Sequence, residues 1–300
     1  MKKFTLIATF LIILSTLLAA CGGGASTATT LLEDIEQRGY ILVSTDPNYE
    51  PQSFLNTSGS RPSDTVCPSD ALTSAEMQGF DVDVAVEIGE RLGVETCFAT
   101  PDWDMVTAGN WADKWDISVG SMTITPARQQ ALDFTTPYYY TPAMIGALTA
   151  DGITSLDDLA GQAICVAVAT TYESWLEGTL DLPATSIYAQ PPAGITVVTL
   201  PTDQECPQAL EAGRKDFIAY LTSGTVIDAN IEAGMALSKI GSAVFSEDLA
   251  VAIDKQHTLP IDTLLKAVDD IVIAMHADGT LTNMSVKWFD GIDLTLDPSN

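Results

Sequence analysis

The sequence predicts an α/β fold with mostly parallel sheets, and three observations carry that prediction. Short apolar runs alternate with segments of helical periodicity from residue 32 to residue 275, the pattern of layered α/β domains. The first apolar run, 40–45, is continuous rather than alternating, as in a strand buried on both faces. No internal repeat is present, and the roughly 270 residues beyond the N-terminal leader and spacer suffice for two lobes.

The elements are expected in this order. A short helix over 32–38 ends at Gly39, and a strand covers 40–45. Residues 56–76 are polar and rich in Ser, Pro and Thr, and read as an insertion ordered in part by Cys67. Helical spacing over 82–92 stops at Gly93. Strands follow at 97–100 and 117–121. The apolar, extended segments 143–148 and 249–253 are expected to be two hinge crossings. Between them lie strands at 163–168, 197–200 and 217–221, with a helix beginning over 173–178. A long amphipathic helix over 261–275 returns to the first lobe.

The N-terminus sets the compartment. Lys2 and Lys3 precede an apolar run from Phe4 to Leu18, followed by Leu18-Ala19-Ala20-Cys21. A charged stretch, an apolar stretch and small residues make a cleavable signal, and the run is short of the ~20 apolar residues of a spanning helix. The cysteine after Leu-Ala-Ala resembles a lipobox, which implies cleavage before Cys21 and a diacylglycerol on its sulfur; the other reading is a plain signal with an incidental cysteine. Residues 22–30 are Gly, Ala, Ser and Thr only, a flexible tether. Thirteen basic against forty acidic residues give a net charge of −27, which repels nucleic acid and an anionic membrane face. No metal site is expected: there is no C-x-x-C, and His257 and His276 lie far from every cysteine.

The segment from Asp116 to Pro142 is the most informative. It places Arg128, one of five arginines, just after the run Ser121-Met122-Thr123-Ile124-Thr125. Hydroxyls and backbone N–H groups beside a guanidinium suit a carboxylate. A helix start, with Thr125-Pro126 as cap and first turn and Arg128 solvated, would use the same residues.

This segment resembles the signature of family 3 extracytoplasmic solute-binding proteins, the polar amino-acid receptors of ABC importers. Further similarities follow in family order: the run from Ile41 through Asp46 and Tyr49 to Pro51, GFDVD at 79–83 with IGERLG at 88–93, GRKD at 213–216, and DGTL at 278–281 with Lys287-Trp288. The resemblance implies a two-lobed periplasmic-binding-protein fold of type II, with two mostly parallel sheets joined by a two-strand hinge. The domain bounds are then a lipoprotein signal at 1–20, a tether at 21–31, the first lobe at 32–146 and 247–300, and the second lobe at 147–246. It implies Tyr49 and Trp103 as aromatic walls, Ser121, Thr123 and Arg128 as the α-carboxylate clamp, and Thr170 and Thr171 as the contact of the second lobe. Ala169 stands where the family commonly has glycine. Ligands of open α/β sheets sit beyond the carboxyl ends of strands, which adds Asp46, Gly120, Tyr172 and Tyr220.

One departure concerns the ligand's ammonium. The family carries a second Asp about five residues after the first; here Leu221 or Thr222 takes its place. Asp46, Glu50, Asp104 or Glu173 would have to serve instead. Alternatively, Tyr49, Trp103, Tyr172 and Tyr220 would cage a betaine- or ectoine-like osmolyte. Some relatives are dehydratases, for which Glu173 would be the general acid, but no catalytic constellation is readable and a non-enzyme without cofactor is expected. Cys67, Cys97, Cys165 and Cys206 permit three pairings; pairing within lobes gives Cys67–Cys97 and Cys165–Cys206. The expected molecule is a monomeric, lipid-anchored, periplasmic or cell-surface receptor. It would present a small zwitterionic or carboxylate solute to an ABC permease.

Overall fold

The computed structural model describes residues 28–298. The signal, Cys21 and most of the tether lie outside the described residues. The tether's last residues belong to the first helix. Leu31 opens α1 (Leu31–Arg38), and Thr30 caps it by accepting from the Glu33 N–H, a contact that stabilises a helix by about 1 kcal/mol.

From α1 the chain enters β1 (Tyr40–Ser44), then the short strands β2 (Asn48–Tyr49), β3 (Ser53–Leu55), β4 (Leu72–Thr73) and β5 (Met77–Gln78). Helix α2 (Phe80–Leu92), β6 (Glu95–Ala99), α3 (Trp103–Thr107), β7 (Ile117–Thr123) and β8 (Leu132–Phe134) complete the first part. The long β9 (Tyr139–Leu148) leads to β10 (Ala163–Ala167), α4 (Thr171–Leu176), β11 (Thr196–Leu200), α5 (Glu205–Glu211), β12 (Ala219–Ser223) and α6 (Gly224–Glu232). The longer β13 (Leu237–Asp254) returns, and α7 (Asp262–Ala277) and α8 (Thr280–Trp288) follow.

The strands form one ten-stranded sheet ordered β11-β10-β12-β9-β13-β7-β1-β6-β4, with β8 beside β13; β2, β3 and β5 form a separate small sheet. Its two outer parts contain the parallel pairs, β10 with β11 and β12, and β1 with β6 and β7. The expected two sheets are therefore joined into one, because β9 and β13 are long enough to belong to both halves. Their antiparallel register runs from Leu237 opposite Leu148 to Leu249 opposite Tyr139, with a shift between Ile240 and Phe245.

Each half buries its own core. In the first, Ile41, Val43, Phe80, Val84, Ile88, Ile117, Val119 and Val251 pack with Leu264, Val268, Val272 and Met275, one face of α7. In the second, Ile145, Ile164, Val166, Trp175, Leu221 and Phe245 pack together. Each such side chain contributes about 1.5–3 kcal/mol by leaving water. Disulfides join Cys67 to Cys97 and Cys165 to Cys206. The first ties residues 56–76 to β6, and Arg61 orders the same excursion by donating to the carbonyls of Cys67, Pro68 and Ala71. The second ties β10 to α5.

Four helices go beyond the sequence reading. Segments α3, α5 and α6 each follow a strand after a very short connection, and α8 follows α7 directly. Their cues are local: Ser223 caps α6 by accepting from the Thr225 N–H, and α5 carries Pro207 in its first turn.

Candidate functional site: a buried pocket between the lobes

The carboxyl ends of β1, β6, β10 and β11 and the crossing strands converge on a pocket. It is lined by Asp46, Tyr49, Trp103, Gly120, Ser121, Thr123, Arg128, Ala167, Thr170, Thr171, Tyr172, Pro201, Asp203 and Glu247. The lobes touch around it. The hydroxyls of Tyr49 and Tyr172 are 3.3 Å apart, Gln52 donates to the Thr225 hydroxyl at 2.5 Å, and Gln204 reaches the Glu50 carbonyl at 3.5 Å.

Arg128 is the lining cation. It stands in the single turn Arg128–Gln130, whose start is capped by the Thr125 hydroxyl, 3.2 Å from the Arg128 N–H. The cap reading of Thr125 and the pocket role of Arg128 therefore coexist. The side chain is 9% exposed, not solvated. It donates to the Thr123 carbonyl at 3.0 Å and, across the lobes, to the Ala169 carbonyl at 3.2 Å. Its guanidinium lies 5.6 Å from the Trp103 ring centroid, within cation–π range. Burial pulls its pKa down to about 10, so it stays charged at neutral pH.

Ser121 has both polar groups committed inside the first lobe. Its hydroxyl donates to Asp81 at 2.6 Å and meets the Tyr139 hydroxyl, and its N–H donates to the Tyr138 hydroxyl at 3.0 Å. Tyr138 also donates to Asp81 at 2.8 Å. Burial raises Asp81 to about 7. Ser121 sits at φ 55°, a left-handed conformation costing a non-glycine residue about 1–3 kcal/mol. Ala169 is likewise at φ 60°, so the glycine common at that position would suit the backbone.

Three acids line the pocket. Asp203 follows β11 and is 9% exposed. Burial raises it to about 7, and the charges of Asp46 and Glu247 push the same way. Thr222 donates to one of its oxygens at 2.6 Å. Glu247 lies in β13 opposite Thr141. It accepts from Thr123 at 2.6 Å, from Tyr172 at 2.8 Å and from Thr171. Burial raises its pKa, while these donors and Arg128 favour its charged form. Asp46 is raised by burial, opposed by the Asn48 N–H and assisted by Glu205.

Of the sequence-predicted residues, Asp46, Tyr49, Trp103, Gly120, Ser121, Thr123, Arg128, Thr170, Thr171 and Tyr172 come together in this pocket. Tyr220 does not line it. Its ring packs with Cys165, Cys206 and Leu210 beneath α5 and covers Gly146, where a Cβ would come within 2.5 Å of it. Of the acids weighed for the ammonium, Asp46 alone lines the pocket. Asp104 is exposed on α3, and Glu173 accepts from the Ala169 N–H at 2.7 Å at the start of α4. Thr170 caps α4 and lines the pocket as well. The sequence reading passed over Ala167, Pro201, Asp203 and Glu247. The strand-end rule finds Pro201 and Asp203, directly after β11. Glu247 gave no such signal: it sits between Ser246 and Asp248, in a polar stretch just before the apolar run 249–253.

Among the described residues no group of acids, histidines and cysteines is placed to hold a metal ion, and no helix is long and apolar enough to cross a membrane.

Known proteins share this architecture. The L-cystine-binding protein TcyJ of Escherichia coli (strain K12) is 31% identical over 269 residues, 88% of each chain. The ABC transporter arginine-binding protein 1 of the same strain is 26% identical, over 71% of this chain and 82% of its own. The crystal structure of the ancestral amino acid-binding protein AncCDT-1, a precursor of cyclohexadienyl dehydratase, is 27% identical. It superposes with a TM-score of 0.68 over 86% of this chain and 99% of its own. Residues 41–291 match the family described as bacterial extracellular solute-binding proteins, family 3. With this match the strand-end pocket has its context: the chain belongs to the family 3 bacterial extracellular solute-binding proteins.

Proposed function

We propose that this chain is the receptor of an ABC importer and closes its two lobes on one small amino acid. Arg128 carries the reading. It is a buried guanidinium facing a pocket, with hydrogen bonds only to carbonyls and no carboxylate within ion-pair distance among the described residues. A desolvated guanidinium without an anion is costly, and a ligand carboxylate supplies one through a bidentate pair. The ligand's ammonium goes to the lining acids. Asp203 and Glu247 take the place of the acid absent at Leu221, so an aromatic cage for an osmolyte is not needed. Because lining residues come from both halves, the ligand biases closure by touching both.

The receptor acts as a monomer, tethered outside the cytoplasm through diacylglycerol on Cys21, and hands its solute to a permease. Supporting this are the lipobox-like sequence before Cys21, the acidic surface and the disulfides.

Calorimetry with a panel of amino acids tests the reading. Binding should fall by about 2–5 kcal/mol in Arg128→Ala and recover only in part in Arg128→Lys, since an ammonium forms no fork. Unchanged affinity in Arg128→Ala would sink it.

A further inference from the structure

Asp81 does not line the pocket, yet it holds a residue that does. It stands in the first turn of α2 and is 0% exposed. One of its oxygens accepts from the Ser121 hydroxyl, the other from the Tyr138 hydroxyl. The titratable groups that face it are phenols: Tyr138 and Tyr139 at the start of β9, and Tyr49 of β2. Charged groups on the neighbouring elements are engaged elsewhere. Lys287 of α8 bonds Asp83, His276 of α7 bonds the Pro137 carbonyl, and Glu95 of β6 accepts from the Val66 N–H. Burial without a cation raises Asp81 to about 7, so near neutrality both of its states are populated.

The two states differ in where the Ser121 proton goes. A serine hydroxyl donates once and accepts twice. Among the described residues, Ser121 is the one hydrogen-bond partner of the Tyr139 hydroxyl. With Asp81 ionised, Ser121 donates to the carboxylate and accepts from Tyr139. With Asp81 protonated on the same oxygen, the carboxyl becomes the donor. Ser121 then accepts from both Asp81 and Tyr139, and its own proton is left for the pocket it lines. Tyr138 accepts from the Ser121 N–H and donates to the other Asp81 oxygen in either state. The left-handed backbone of Ser121, at φ 55°, is thereby held while the hydroxyl reverses.

We propose that Asp81 is a positioning residue that, through Ser121, couples capture of a solute carboxylate to uptake of a proton. This inference rests on the amino-acid reading of the same pocket. A carboxylate seated by Arg128 finds a donor at Ser121 when Asp81 carries its proton, and its negative charge favours that proton. The occupied receptor then binds more protons than the empty one, so affinity falls as pH rises through 7.

Calorimetry on the purified protein tests this with L-glutamine, L-glutamate, L-arginine and L-cystine, at pH 6, 7 and 8 and in buffers of different ionisation enthalpy. For each probe that binds, wild-type affinity should fall about five- to tenfold more than that of Asp81→Asn between pH 6 and pH 8, with about half a proton more taken up at pH 7. Asp203 also titrates near 7, but it is present in both proteins, so their difference isolates Asp81. The asparagine amide donates to Ser121 as a protonated carboxyl does, so Asp81→Asn should match wild type at pH 6. A merely structural role for Asp81 would leave the pH profile where it is. Ser121→Ala keeps the carboxyl and removes the relay; it should lose the same pH dependence, and it serves should Asp81→Asn fail to fold. Equal pH dependence and equal proton uptake in wild type and variant would overturn this inference and leave the amino-acid reading standing. No binding by any of the four would overturn both.

Discussion

The Thr222 hydroxyl donates to Asp203 across 2.6 Å, joining the end of β12 to the loop after β11. Leu221 and Thr222 occupy the place where the sequence reading looked for an acid and found none. An acid, Asp203, lines the pocket from the loop after β11, two strands away in the sheet, and Thr222 orients it. Thr222→Val keeps the shape and removes the donor. Affinity for the amino acid that binds best in the panel should fall by about tenfold, or ~1.4 kcal/mol, as the hydrogen bond to the carboxylate is lost. Titration calorimetry on the variant checks it, and an unchanged affinity would show that Asp203 is oriented by other means.

Glu247 accepts from Thr123 of the first lobe and from Thr171 and Tyr172 of the second. Glu247→Gln replaces one acceptor oxygen with a donor and faces those hydroxyls with an N–H. The closed arrangement should lose about 1–3 kcal/mol, visible in small-angle scattering as a larger radius of gyration at subsaturating ligand. An equally compact variant would assign closure to the remaining contacts between lobes.

The two disulfides close loops of 30 and 41 residues, each expected to stabilise its half by about 3–4 kcal/mol through restriction of the unfolded chain. Denaturant titration of the Cys67→Ser/Cys97→Ser and Cys165→Ser/Cys206→Ser variants measures the two losses separately. Equal midpoints for wild type and either variant would contradict the expectation for that bridge.

Stability of the ligand-free protein should fall as pH rises from about 4 to about 7. Asp81 and Asp203 are each raised from an ordinary value of 3.8 to about 7. Across that window the folded chain holds protons that the unfolded chain has released, so rising pH favours unfolding; above it the effect is complete. Each group contributes on the order of a few kcal/mol to the loss. Acids held low, such as Asp278 at about 2, act at lower pH and with the opposite sign. Urea titrations at both ends of the window read the change, and Asp81→Asn or Asp203→Asn should flatten it.

Much of this architecture was legible because strands and helices here announce themselves by period. The continuous run of β1, the Gly39 and Gly93 stops and the α7 stripe of Leu264, Val268 and Val272 are local signals. The length of β9 and β13 was not legible. The portions outside the expected segments 143–148 and 249–253 carry Thr141, Ser246 and Glu247, polar residues that mask a strand until its partner is known, and Pro142, which lacks a backbone donor. The pocket was legible where strand ends were recognised and lost where β13 was cut short, which hid Glu247. Tyr220 shows the opposite failure: it stands on a strand leading to the site, but its side chain faces the layer under α5. Strand parity, not nearness in sequence, decides such a placement.

The ladder shared by β9 and β13 sets the mechanics of this receptor. A swivel made of loose linkers would leave each half free to wander between binding events. Here the halves are leaves of one sheet, and any reorientation of one on the other would be taken up as twist in paired strands. Twist is soft and keeps the backbone bonds made. If the lobes close on a solute as proposed, the work of opening would fall on the few side-chain contacts across the cleft.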